Sequence, residues 1–437
     1  MTSNPDHLER TAAEPRDKSL HTVVLQRIEE VNDTTRVFRL GIPRDAPPIR
    51  FLPGQWLDVY LPGVEKAGGF TITSTPREAR LAHPATIIES DDSKGGEAGN
   101  ASLATKDGGP FLELAVQRSP DNPPAAWLWQ EQEQNQEETG PSSSSGADDG
   151  GSNGGNESIS PSSSIIGREP RVRVGGGFVW PPPGINVRSL QRVVFVAGGL
   201  GVNPLVSMLC SLAPASPSST SSGSSTTTTG GSGGLEVRFL YSAKDPGAGA
   251  DMTEEEEEEE EEGKGKRGAE KVRGQRRRKR NAQKILFLER IARVFHEGRV
   301  NGQLQMFLTG ENGATSDSGQ AGGDEEEKGE GEEIDGIAVA GKEEDARATT
   351  TDGADGEDEG KDNKKKKGEG SFTIPFHSRR ITVDDDVATA VGNPRFAVVY
   401  VCGVPSMTDD FVAKLTARED QGGLGMEPHR VLCEKWW

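Results

Sequence analysis

Nine consecutive glutamates, Glu254–Glu262, run into a basic stretch that ends Arg276, Arg277, Arg278, Lys279, Arg280. Burying either run would take many charges out of water without partners, so neither belongs to a packed core. Three more segments share this property. Residues 131–167 pass from a Gln/Glu run into Ser, Gly and Asn; residues 213–234 are almost wholly Ser, Thr, Gly and Pro; residues 311–371 are mostly Gly, Glu, Asp and Lys. With residues 246–283 they are expected to be disordered insertions. The four hold 38 acidic and 18 basic residues, which is the whole net charge of −20, so the other 279 residues carry 32 of each sign. The low pI of about 4.9 therefore describes the insertions rather than a site. The basic run reads as part of a solvated insertion, because segment 246–283 nets only −1; the other reading is a nuclear-import or nucleic-acid patch.

A remainder of 279 residues suits two domains of ordinary size. No stretch approaches the roughly 20 apolar residues of a membrane-spanning helix, so no integral membrane segment is expected. Three cysteines, Cys210, Cys402 and Cys433, are too few for a disulfide framework and one short of the four thiolates of an iron-sulfur cluster. A reducing intracellular compartment follows. Residues 1–19 are expected to be a flexible terminus; Asp6, Glu9, Glu14 and Asp17 make it unlike a mitochondrial presequence.

Residues 20–190 contain short runs of Val, Ile, Leu and Phe broken by Pro and Gly: Thr22 to Ile28, Thr35 to Gly41, Gln55 to Leu61, Gly69 to Ser74, Thr86 to Glu89, Phe111 to Val116 and Arg171 to Gly175. That spacing predicts an antiparallel β-barrel or sandwich. From residue 191 onwards strands and helices alternate. Arg192 to Ala197, Leu235 to Tyr241, Gln303 to Thr309 and Phe396 to Cys402 read as strands; Leu205 to Leu212, Ile285 to Phe295 and Asp409 to Leu415 read as helices. Residues 191–437 thus predict a parallel sheet with helices on its faces.

The run Gly198, Gly199, Leu200, Gly201, Val202, Asn203, Pro204 sits between a strand and a helix. A backbone without Cβ atoms can approach a pyrophosphate there, while the helix start presents N–H groups; a tight turn also requires glycine for its own geometry. A second strand ends in Cys402, Gly403, Val404, Pro405, Ser406, Met407. From the residues alone Cys402 reads as a small buried hydrophobe. Two terminal tryptophans, Trp436 and Trp437, pack on a core or cover a planar ligand.

Phe51-Leu52-Pro53-Gly54-Gln55-Trp56, Gly68-Gly69-Phe70-Thr71-Ile72, the Gly198–Pro204 run, Tyr241-Ser242-Ala243-Lys244, the Cys402–Met407 run and a Glu434-Lys435-Trp436-Trp437 end occur in one order. Together they resemble the ferredoxin-NADP reductase superfamily and, within it, the oxidoreductase NAD-binding domain-containing proteins. The resemblance implies a two-domain β + α/β fold: an FAD-binding-type antiparallel β-barrel followed by an NAD(P)-binding parallel α/β domain. It puts the nicotinamide-nucleotide pyrophosphate on Gly198, Gly199, Leu200, Gly201, Val202, Asn203 and Pro204. The nicotinamide falls beside Cys402, Gly403 and Met407. The adenosine ribose falls near Ser242 and Lys244, leaving NAD against NADP open with NAD favoured. The flavin falls on Phe70, Thr71 and Ile72 under Trp436 or Trp437, with Thr71 and Cys402 at the reacting edges.

One departure stands out. Where such reductases carry an arginine for the FAD pyrophosphate this chain has Gly68, and the glycine and serine of the second phosphate site are replaced by Pro123, Pro124, Ala125, Ala126 and Trp127. A charge-assisted phosphate contact contributes about 1.5–3 kcal/mol. The function implied is an oxidoreductase passing reducing equivalents between NAD(P)H and a separate protein or small-molecule acceptor by way of FAD. The alternative is a dinucleotide-binding scaffold or sensor that has lost flavin and catalyses nothing. A mitochondrial location is implied by the resemblance alone, with the cytoplasm as the other choice.

Overall fold

A computed structural model describes residues 6–80, 109–130, 164–213, 234–246, 282–310, 336–339 and 372–435. The expected strand Thr86 to Glu89, most of the four expected insertions, and Trp436 and Trp437 lie outside those residues. The chain divides into two compact units, Met1–Gly177 and Phe178–Trp437. The division falls before residue 190 because the following segment packs inside the second unit. Tyr400 Oη donates to the Val179 carbonyl at 2.8 Å, and Phe178 lies edge-on to the Tyr400 ring at 5.3 Å.

The first unit begins with a short helix, α1 (His7–Arg10), closed by a capping box in which Asp6 and Glu9 bond each other's backbone N–H. Its strands are β1 (His21–Thr22), β2 (Val24–Asn32), β3 (Thr35–Gly41), β4 (Trp56–Tyr60), β5 (Gly68–Thr71), β6 (Phe111–Gln117) and, after helix α2 (Pro123–Leu128), β7 (Arg171–Gly175). They form two antiparallel sheets, ordered β1-β7-β4-β5 and β2-β3-β6. A bridge between Ile72 and Leu114 joins them. One apolar cluster lies inside, including Leu25, Phe38, Leu57, Phe70, Ile72, Leu114 and Val174. Alternation sets the faces: Leu57 and Val59 point into that cluster, so Trp56 and Asp58 point away from it.

Residues 6–19 are tied down rather than flexible. The Asp17 N–H donates to Val174 O at 2.9 Å, Gly176 N–H to Pro15 O at 2.9 Å and Gly177 N–H to Glu14 Oε2 at 3.0 Å. The terminal arm thus runs beside β7 on the side where β1 pairs, and its Arg16 reaches Asp58 on the outward face of β4.

The second unit comprises β8 (Arg192–Gly198), α3 (Val202–Leu212), β9 (Glu236–Lys244), α4 (Leu288–His296), β10 (Gly302–Thr309), β11 (Gly336–Val339), β12 (Phe372–His377), α5 (Ala388–Val391), β13 (Ala397–Gly403), α6 (Pro405–Thr416) and β14 (Val431–Lys435). Among the described residues its seven strands lie in the order β11-β12-β10-β9-β8-β13-β14, parallel throughout except for β11 against β12. The central strands are rich in valine and buried on both faces, as Val193, Val194, Phe195 and Val196 and then Val398, Val399, Tyr400 and Val401 show. Strand β11 falls within 311–371, where only an insertion was expected; Ile337 and Val339 are buried and pair it to β12. Strands β12 and β14 also add to the sheet without having been expected.

Candidate functional site

The sheet's connectivity chooses a place. From β8 the chain winds outward through β9 and β10 on one side, then returns to lay β13 and β14 on the other. Strand order reverses between β8 and β13, and at such a point an open α/β sheet leaves a crevice at the carboxyl ends of its strands. Both glycine turns read from the sequence lie there.

The turn after β8 is a single 3-10 turn, Gly199–Gly201, leading into the eleven-residue α3. Gly199 is exposed at φ 54°, with nothing within 4 Å of where a Cβ would be. Its need for glycine is conformational, since a side chain in the left-handed region costs roughly 1–2 kcal/mol. Gly201 is glycine for a different reason: a Cβ there would overlap the Cys402 carbonyl. The two turns therefore touch backbone to backbone. Met407 lies over both, its Sδ 2.7 Å from where a Cβ on Gly198 would stand and 3.1 Å from one on Gly403.

The side chains of Val202, Asn203 and Pro204 are buried in the first turn of α3, and Leu200 is half-buried. What this stretch offers a ligand is its backbone, with the positive end of α3 behind it, which is the arrangement that suits a diphosphate. Ser242 pairs in register with Gly198 at the end of β9, and Lys244 is exposed at the end of that strand, in register with Thr309. Cys402 is fully buried in β13, in register with Ala197. Burial pushes the Tyr241 and Tyr400 hydroxyls far above the ordinary tyrosine value, so both stay protonated and act as donors, to Leu286 O and Val179 O. These residues fit a nicotinamide dinucleotide.

The flavin set in the first unit is different. Phe70 is buried in the apolar cluster, and the Ile72 N–H donates to Gln55 O at 3.0 Å. Thr71 is fully buried, and its Oγ1 finds no hydrogen-bond partner among the described residues. A Cβ on Gly68 would collide with the Phe70 ring and stand 2.7 Å from Pro124 Cβ. Helix α2 opens on Pro123 and Pro124, which have no N–H, and Asn122 makes no side-chain cap. These residues do not fit the diphosphate of FAD.

Sequence reasoning missed a buried charge cluster in the same unit. Asp58 is fully buried; His7 Nε2 lies 2.9 Å from its Oδ1, and Arg16 Nε and Arg173 Nε donate to its Oδ2 at 3.0 and 2.8 Å. Arg16 also stacks on Trp56, 5.0 Å from the ring centre. The only signal in the sequence was an acid on the outward phase of a strand.

Fold and turns together define a protein of two units, one of antiparallel β sheets and one a mostly parallel α/β sheet with two glycine turns at its switch point, which is the architecture that the resemblance to the ferredoxin-NADP reductase superfamily implies. The chain is 30% identical over 215 residues to oxidoreductase NAD-binding domain-containing protein 1 of Danio rerio, covering 49% of this chain and 56% of that protein. It is 29% identical over 241 residues to the protein of the same name from Bos taurus, covering 55% of each. The chain thus spans about half the length of these curated relatives. No protein-family model matches. A ferredoxin NADP+ reductase from Neisseria gonorrhoeae with bound FAD and NADP aligns over 96% of this chain and 99% of that one at TM-score 0.41 and 10% identity, a likeness from which nothing about function follows.

Proposed function

We propose that the chain is an NAD(P)-dependent oxidoreductase that binds a nicotinamide dinucleotide at the β8/β13 switch point and passes reducing equivalents between it and a separate protein or small-molecule acceptor. The observation that supports this most is the contact of two glycine turns on adjacent parallel strands, where Gly201 meets the Cys402 carbonyl. When bound, the nicotinamide ring supplies a hydride. The chain's own part is to hold the diphosphate against the Gly199 backbone and the start of α3, and to fix the ring beside Gly403 and Met407. NAD is favoured over NADP, and an intracellular setting, mitochondrial by resemblance, goes with this reading.

A second reading, a dinucleotide-binding scaffold or sensor without catalysis, is favoured by the packing of Phe70 and Pro124 over Gly68. One experiment separates the two. NADH and NADPH are titrated against the full chain, and oxidation of the bound form is then followed with two acceptors that take two electrons at once, a soluble quinone and dichlorophenolindophenol. Saturable binding with turnover supports the enzyme; binding without turnover on either acceptor supports the scaffold; failure to bind sinks both.

A further inference from the structure

Strand β5 opens on two glycines, and on neither face of the strand is the space beside them open. Above Gly68 stand the Phe70 ring and Pro124; above Gly69 stands the His7 imidazole, into which a Cβ would run. Phe70 belongs to the same buried cluster as Ala125 and Leu128 of α2. His7 is held by Asp58 and lies edge-on to Trp56 with ring centres 4.8 Å apart. The two glycines are thus explained by internal packing, each making room for an aromatic ring of this chain. The proline start of α2 removes two N–H groups that a phosphate would use.

We propose that the β unit does not hold FAD: its own side chains have taken the place of the second dinucleotide, and the chain binds one dinucleotide, the nicotinamide one, rather than two. The inference rests on the proposed function only for that nicotinamide site, and on the packing around β5 for everything else. Thr71, which the resemblance also gives to the flavin, is sealed in with its hydroxyl turned to no partner among the described residues.

The test is calorimetric titration of the full chain with FAD and with NADH, each alone and each in the presence of the other. The expected result is a colourless protein that FAD does not bind, or binds only where NADH displaces it, which marks the ADP half of FAD in the nicotinamide-nucleotide site. One FAD per chain that NADH does not displace overturns the proposal. Failure of NADH to bind removes the proposed function, while the FAD titration still decides this one. A second measurement uses Gly68→Arg, which restores a cation at the position the resemblance gives it. That variant is expected to melt lower and to gain no affinity for FAD; a gain of about tenfold or more overturns the proposal. Should it fail to fold, the titration of the unaltered chain decides.

Discussion

Gly199 and Gly201 stand two residues apart in one turn, yet they respond differently to the same change. Gly201→Ala forces a methyl into the Cys402 carbonyl, and backbone must move; overpacking of this kind costs about 1–3 kcal/mol and spreads the two turns. NADH affinity is expected to fall with stability. Gly199→Ala meets open space and costs only the left-handed φ, about 1–2 kcal/mol, without moving backbone. Thermal melts with and without NADH check the order; equal losses would mean that the carbonyl contact is not the constraint. Thr71→Val removes a buried hydroxyl that has no partner among the described residues, where such a group costs about 1–3 kcal/mol. The variant is expected to be as stable as the parent or more so, and a loss above about 1 kcal/mol in urea would reveal a partner. At this scale the sequence was informative about glycines, because turn and close-approach positions leave a residue-type signature. It was silent on where Phe70 turns its ring, since a strand aromatic beside a glycine pair reads the same whether it faces a ligand or a neighbour.

A helix of four residues such as α1 has no stability of its own, so the terminal arm depends on what it touches. Burial pushes the Asp58 carboxyl up, but hydrogen bonds from His7, Arg173 and Arg16 more than reverse this and leave it below the ordinary carboxylate value. With the folded value lowered, the stabilisation is complete above the unfolded pKa of about 3.9 and is lost as pH falls through the folded one. The arm is therefore expected to stay docked from neutral pH down to about 5 and to detach only in stronger acid, which Trp56 fluorescence and proteolysis near residue 16 would follow. Asp58→Asn is expected to release it at neutral pH. Breaking a buried pair of this type costs about 3–5 kcal/mol, so an unchanged urea midpoint would refute the cluster's role. None of this could be read from the chain, because the partners of Asp58 lie 42, 51 and 115 positions away. Strand β11 escaped for a related reason: four residues in acidic surroundings form a strand only because β12 pairs with them. The long valine-rich strands β8 and β13 were legible, since burial on both faces writes a continuous apolar run.

For the molecule as a whole, every residue assigned to the nicotinamide nucleotide lies in the unit Phe178–Trp437. Hydrogen exchange on the full chain with NADH is therefore expected to show protection at residues 198–204 and 402–407, with β4 and β5 unaffected. At 100 times Kd the ligand adds about 2.7 kcal/mol to the stability of whatever unfolds with its site. Protection spreading to Phe70 and Thr71 would contradict a site built from one unit. Among the described residues no helix is long and apolar enough to cross a membrane. Fold class was legible at this scale because alternating β and then β/α periodicity survives interruption by segments that carry the net charge of −20. The point of division was not, because Phe178 and Trp180 belong to the second unit through their packing on Tyr400, more than two hundred positions away.

Met407 covers Gly198 and Gly403 with one sulfur atom, and so couples three positions spread over more than two hundred residues of chain. A side chain gained at 198 or 403 fits only if 407 shrinks. Among relatives the three positions are therefore expected to change together: an alanine or serine at either glycine should arrive with a small residue in place of the methionine, and a sequence keeping the large residue beside a filled glycine would have to have moved the turns apart.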